Sequence, residues 1–163
     1  MKLLVISDSH GKRKKDITDL VLRVRPAYLI HCGDGCDVPG YIGGLVPGCD
    51  VIAVKGNCDR SYFLEEDEYL RIGKYKILIT HGHNYGVKYG MSKIKSKAVS
   101  EGCNVVMFGH THRALIDIGD DVTLLNPGSI GIPRAGADPT FLVMEIDDQG
   151  EAHYSIGHLK KNI

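Results

Sequence analysis

The chain has no long apolar run, no net charge and no paired-cysteine motif, and each absence removes a class of function. No segment approaches the roughly 20 consecutive apolar residues that a bilayer-crossing helix needs, so no membrane span is expected. The apolar part of the N-terminal MKLLVISDSHG is too short for a secretory signal, and the residues after it are too polar. Lys and Arg number 20, as do Asp and Glu, which gives a formal net charge of zero. No global field therefore recruits nucleic acid or an anionic membrane, and any attraction for anions has to be local. The densest basic cluster, KRKK at residues 12–15, reads as a solvated helix start. The five cysteines (Cys32, Cys36, Cys49, Cys58, Cys103) contain no CxxC pair. An odd count without a disulfide framework fits a reducing compartment, and the expected location is the cytoplasm. Most of these thiols are expected to be small buried hydrophobes. No repeat, low-complexity stretch or linker interrupts the 163 residues. One domain over residues 1–163, with a single well-buried core, is the simplest organisation.

What is present is an alternation of strand-like and helix-like segments. Residues 2–7, 27–32, 51–55 and 104–108 read as buried strands, and 68–72 with 75–80 as a hairpin across Gly73-Lys74. Residues 12–24 carry Ile17, Leu20, Val21 and Val24 at helical spacing and stop before Pro26. A second helix is expected at 90–101, capped by Gly102. The Gly- and Pro-rich segment 38–46 has room for one short helical turn. After Thr111 the rhythm changes to strands at 114–118, 122–125, 140–146 and 152–158, with turn chemistry at Asp120-Asp121 and 147–150.

Five of the apolar runs end in metal-binding types of residue. LLVIS precedes Asp8 and His10, AYLIHC precedes Asp34, VIAVK precedes Asn57, ILIT precedes His81, and VVMF precedes His110 and His112. A strand delivers its succeeding residues to one edge of its sheet, and open α/β sheets bind ligands at the carboxyl ends of their strands. Five such ends in one place would gather two aspartates, one asparagine and four histidines.

In this order DxH, GD, GN, a lone His and GHxH resemble the calcineurin-type metallophosphoesterases. The GNCD variant, the short chain and the NPGS…PR segment (Asn126 to Arg134) resemble the small YfcE-like phosphodiesterases in particular. The resemblance covers essentially the whole chain. It implies an α/β fold in which two mixed β-sheets pack as a sandwich flanked by helices. It also implies a role for each motif residue: Asp8, His10 and His112 on one metal ion, Asn57, His81 and His110 on a second, and Asp34 bridging both.

Elementary chemistry agrees with that implication. Imidazole, carboxylate and amide oxygen suit Mn²⁺, which we expect first, as well as Ni²⁺, Fe²⁺ and Zn²⁺. Seven donors are too many for one tetrahedral zinc but fit two divalent ions that share a carboxylate. On a formal count, two such ions with Asp8, Asp34 and a bridging hydroxide keep a net charge of about +1, which suits a small phosphodiester monoanion. The expected reaction is in-line attack on phosphorus by the bridging hydroxide, with charge on the phosphoryl oxygens stabilised by both metals.

One position departs from the wider pattern. Many family members have GNH[DE], with a histidine on the substrate side, where this chain has Cys58. A thiol protonates a leaving group less well than an imidazole. Cys58 therefore reads either as the mark of a preference for diesters over monoesters or as a small side chain filling space. No job for Asp59 beside a cysteine is evident. His31 and His83 read as structural partners, and His153 and His158 as surface or interface residues. Arg134 reads as a phosphate contact or as a brace for the NPGS loop, and Tyr85 and Tyr89 as walls of a leaving-group pocket. Two other function classes compete: a phosphomonoesterase, and a protein-interaction scaffold of the same fold like the retromer subunit. Scaffolds of that kind tend to lose the histidines, all of which are present here. An exposed strand or apolar face in the β-rich tail would serve a homodimer or higher homo-oligomer.

Overall fold

The computed structural model describes residues 1–35 and 37–159. Along the chain run β1 (Lys2–Ile6), α1 (Lys14–Val24), β2 (Tyr28–His31), α2 (Val38–Ile42), β3 (Asp50–Ala53), β4 (Asp67–Ile72) and β5 (Tyr75–Thr80). Next come α3 (Ser92–Ser100), β6 (Val105–Met107), β7 (Ala114–Ile118), β8 (Thr123–Pro127), β9 (Thr140–Ile146) and β10 (Ala152–His158). The strands form two mixed five-stranded sheets, ordered β10-β9-β1-β2-β3 and β4-β5-β6-β8-β7. In one half of the first, β1, β2 and the edge strand β3 run parallel. At the centre of the second, β5, β6 and β8 do the same.

Alternation within each apolar run makes the layers. In β1, Leu3 and Val5 meet Ile77, Ile79, Val105 and Met107 of the other sheet, while Leu4 and Ile6 meet Ile17, Leu20 and Val21 of α1. In β5, Leu78 points the other way, onto Ile94 and Ala98 of α3. Strands covered on both faces need continuous apolar sequence, which is why these runs show no polar alternation. The edge strands β4 and β10 alternate instead. Ile79 is fully inaccessible between the layers. Its truncation to Ala would cost about 2–5 kcal/mol, through lost burial and the cavity left behind.

The expected elements are present, several with the expected bounds and the others with ends shifted by one or two residues. The first helix starts at Lys14 rather than residue 12, because Arg13 sits in the left-handed region (φ 59°) as its N-cap, with no side-chain cap bond. The basic run is its start, tied by Lys14 to Asp37 at 2.7 Å and Arg13 to Asp16 at 2.9 Å. Gly102 (φ 67°) comes after α3 as expected, and its N–H donates to Val99 O. A 3-10 turn at His83–Tyr85 was not foreseen. Cys32 and Cys103 are buried, Cys49 is half-buried and Cys58 is exposed, all as free thiols. Cys36 lies outside the described residues. Among the described residues no helix is long and apolar enough to cross a membrane.

Candidate metal centre

The two parallel triplets bring their carboxyl ends to one edge of the sandwich, and the predicted residues sit just beyond them. Asp8 and His10 come after β1, Asp34 after β2, Asn57 after β3, His81 after β5, and His110 and His112 after β6. The backbone there is unusual. Asp8, His10, Asp34, His110 and His112 all have positive φ, between 48° and 67°. The two other non-glycine residues with positive φ among those described are Arg13 and Arg25, at the ends of α1. L-residues visit this region at a cost, and such strain concentrates at functional sites.

Two glycines permit the approach. A Cβ on Gly56, before Asn57, would collide with the carboxylate and backbone nitrogen of Asp34. One on Gly109, before His110, would collide with Ser7 Oγ and Asp8 Oδ2. The glycines of GN and GH are therefore clearances for neighbouring loops.

The donor atoms converge. His112 Nε2 lies 3.1 Å and His81 Nε2 4.0 Å from Asp8 Oδ1. Asp34 Oδ2 lies 3.4 Å from His81 Nε2 and 3.9 Å from His10 Nε2. Asn57 Oδ1 is 3.1 Å from His81 Nε2. The His110 ring lies edge-on to His81, centroids 5.0 Å apart. Asp8, His10 and His112 form one cluster with donor atoms within 4.8 Å of one another, and Asp8, Asp34 and His81 form another. His10, Asp34 and Cys58 form a third on the exposed side.

The surroundings aim these groups. Asp8 Oδ2 accepts from Ser7 Oγ at 2.6 Å and from His110 N at 3.0 Å. His81 Nδ1 donates to Cys32 O at 2.7 Å and His112 Nδ1 to Ile132 O at 2.5 Å, so each presents Nε2 to the centre. Asp34 Oδ1 accepts from Cys58 N at 2.8 Å. Asp59, whose role the sequence left open, accepts at Oδ2 from the N–H groups of both Asp34 and Gly56, at 2.8 Å each. It fastens the GD loop to the GN loop. Ser129 Oγ donates to Asp8 O, and Asn126 Nδ2 to Gly109 O. Ser7, Asn126 and Ser129 escaped the sequence reading as supports. The signal available was polar residues set inside or directly after buried runs.

Two buried donor atoms here make no hydrogen bond: Asp8 Oδ1 and His10 Nε2. Orphaned buried polar atoms are costly, and a shared cation would satisfy both. Electrostatics point the same way. Burial opposes ionisation of Asp8 and Asp34, but His112 and His81 around Asp8, and His81 and the Cys58 N–H around Asp34, hold both carboxyls below their usual range. Burial likewise opposes charge on His81, yet Asp34 and Asp8 outweigh it and raise its pKa. The Asp8 carboxylate raises that of His112. His110 falls to about 4 through burial and the charge of His81. The centre thus attracts positive charge, and its donor set fits divalent metal ions.

The remaining residues sort clearly. His31 is buried against Ser9 Oγ at 3.1 Å, a structural partner as expected. His83 stands beside the centre, 5.3 Å from the His81 ring, with a buried Nδ1 that makes no hydrogen bond. Tyr85 donates its hydroxyl to Asp67 Oδ2, and Tyr89 is exposed. Together they border a small cavity of about 190 Å³. Arg134 Nε donates to Thr111 O at 3.1 Å, within the GHTH loop. His153 is exposed and paired with Asp147 at 2.8 Å, and His158 is exposed. Cys58 is exposed beside the centre, and burial and the Asp34 carboxylate push its thiol pKa up.

Known proteins resemble this chain in sequence and in fold. The family model for the calcineurin-like phosphoesterase superfamily domain matches residues 1–149. The probable metallophosphoesterase YsnB of Bacillus subtilis is 32% identical over 150 residues, covering 91% of this chain and 86% of its own. The phosphodiesterase YfcE of Escherichia coli K12 is 26% identical, covering 90% and 89%. Among solved structures, Vps29 of Entamoeba histolytica complexed with zinc superposes with a TM-score of 0.76 at 23% identity, covering 97% and 99%. That last likeness speaks to the fold alone. By its motifs, its two mixed sheets and its relatives, the chain belongs to the calcineurin-like phosphoesterase superfamily.

Proposed function

We propose that this chain is a phosphodiesterase that uses two divalent metal ions, Mn²⁺ first, with Ni²⁺, Fe²⁺ or Zn²⁺ accepted by the same donors. Asp8, His10 and His112 hold one ion, Asn57, His81 and His110 the other, and Asp34 is shared. The whole chain acts as one domain on a small phosphodiester in the cytoplasm, a location its free thiols suit. The observation that carries the reading is the convergence of the donor atoms of Asp8, His10, Asp34, His81 and His112, with Asn57 and His110 set against His81, around the two orphaned buried atoms of Asp8 and His10.

Two divalent ions bound there supply Lewis acidity toward the phosphoryl oxygens and a nucleophile at neutral pH. The protein supplies the rest. Ser7 and the His110 N–H hold one oxygen of Asp8, so that the other faces the centre. Asp59 and the Cys58 N–H fix Asp34 between the two halves. The carbonyls of Cys32 and Ile132 fix the rings of His81 and His112. Where an imidazole would protonate a departing alkoxide, the chain offers a neutral thiol, which favours diesters with good leaving groups.

The test is turnover of bis(4-nitrophenyl) phosphate and 4-nitrophenyl phosphate by metal-stripped protein, with Mn²⁺, Ni²⁺ or Zn²⁺ restored, beside Asp34→Asn. The expected result is diester hydrolysis that needs metal and falls at least about 100-fold in the variant. Activity that needs no metal, or that survives the loss of Asp34, overturns the reading. A second reading is a protein-interaction scaffold of the same fold. The complete donor set weighs against it.

A further inference from the structure

Beside the GHTH loop, and sharing no lining residue with the cavity at Cys58, lies a cavity of about 450 Å³. That is within the range of small-molecule sites. Its floor is apolar, made by Val87, Met91, Phe108 and Leu115. Val87 and Phe108 are buried, and both lie against Gly82, the residue after His81. Ala114, Thr111 and three cationic side chains, Lys88, Arg113 and Arg134, complete the lining, and Thr111 stands between His110 and His112 in the chain. Among the described residues no acidic side chain lines it. Arg134 is braced there by its bond to Thr111 O.

An apolar floor under a cationic rim matches one chemistry: an organic body that carries an anion of its own. A water-filled approach for bare phosphodiester would need the cations but not the floor. A pocket for a neutral apolar group would need the floor but not three cations. In a chain of zero net charge, three cations that form no ion pair with a carboxylate among the described residues are a local field for anions. Arginine suits carboxylate or phosphate through paired N–H groups.

We propose that this cavity is the subsite for one ester arm of the substrate, and that it takes an aromatic or other apolar arm bearing a second anionic group. The proposal rests on the phosphodiesterase reading for the word "ester", but the binding it predicts does not need turnover. It assigns Lys88 and Arg113 as specificity-determining residues.

The experiment uses the full chain, with and without Mn²⁺. Calorimetry compares 5-hydroxy-2-nitrobenzoate with 4-nitrophenol at pH 6, two ligands that differ by one carboxylate. The expected result is affinity about tenfold higher for the carboxylate, in both metal states, from two or three partly solvated ion pairs. That advantage should vanish in the Lys88→Gln, Arg113→Gln double variant. In parallel, kcat/KM is measured for bis(4-nitrophenyl) phosphate and its bis(3-carboxy) counterpart, which presents a charged arm whichever arm leaves. The ratio of the two should fall about tenfold in the double variant. Equal affinities in the wild type, an advantage that survives the double substitution, or one that appears only with Mn²⁺ overturns the subsite. Turnover decides the diester reading and binding decides the subsite, so either can fail alone.

Discussion

The two sides of the candidate metal centre are built on opposite principles. On one side a cavity of about 280 Å³ is lined by His10, Gly11, Asp34, Gly35, Asp37, Cys58 and Asp59. Its carboxylates are committed: Asp34 to His81 and the Cys58 N–H, Asp59 to two backbone N–H groups, Asp37 to Lys14. At the GHTH loop lies the larger cavity, with an apolar floor and three cations that form no ion pair with a carboxylate among the described residues. The acidic side spends its charge on order, fastening loops so that donor atoms meet. The basic side leaves its charge available to a ligand. Loops fastened in this way hold their donor atoms in place for a metal, whereas cations outside any ion pair among the described residues suit the selection of an anionic ligand under the proposed reading. Substitutions on the first side should therefore break the protein's chemistry, and substitutions on the second should only redirect it.

The largest expected effect is at Gly56. Gly56→Ala drives a methyl into the Asp34 carboxylate and backbone. A displacement of about 1 Å in such a centre costs on the order of 100-fold in rate, so metal-dependent turnover should fall at least that far. Retained activity and metal affinity would break the claim that the acidic side is rigid.

Next in size is a pH effect beneath that side. His31 lies under the loop of Gly35, where a Cβ would strike its ring. Burial pushes its pKa down to about 4, despite the nearby Asp8 and Asp59 charges. Above about pH 6.5 His31 is neutral both folded and unfolded, and contributes no pH dependence. Between about 6.5 and 4 the unfolded chain takes the proton first, so stability falls as the pH falls, and the loss levels off below 4. The full loss is about 3 kcal/mol. Urea unfolding of metal-free wild type and His31→Gln from pH 7 to 4.5 isolates it, because other titrations cancel in the difference. Parallel pH profiles would show that His31 is less deeply held than its burial implies.

The smallest effect is expected where the acidic side is exposed. Cys58→His places an imidazole at an exposed position beside the centre. The ratio of monoester to diester turnover should rise about tenfold, at the low end of what general acid catalysis supplies. An unchanged ratio would reduce Cys58 to a spacer.

Much of this was legible in the sequence for a physical reason. Residues buried on both faces must be continuously apolar, and the residue after such a strand emerges at the sheet edge, so VVMF-GHTH and LLVIS-DSH announce both a strand and a site. The resemblance supplied the two-sheet arrangement, which periodicity alone did not. What the sequence concealed depends on contacts between distant segments. Asp59 acts on the N–H of Asp34, 25 residues away. Ser129 acts on the carbonyl of Asp8, 121 residues away. Helix starts blurred because Arg13 caps α1 through backbone conformation rather than a capping side chain. Arg134 proved to be a brace for the GHTH loop that also lines a cavity, and neither partner is near it in the chain.

Five of the predicted metal-binding residues hold left-handed backbone. Each such residue costs on the order of 1 kcal/mol relative to a relaxed conformation, against a total stability of about 5–15 kcal/mol for a typical domain. Glycine at His10, His110 or His112 would abolish a donor while relieving the backbone, so a damaged chain would be the sturdier one. Inheritance therefore has a slope. A lineage selected for turnover must keep the strained histidines against that gradient, while one selected only for the fold gains stability with each histidine it sheds. This chain holds all three of those histidines.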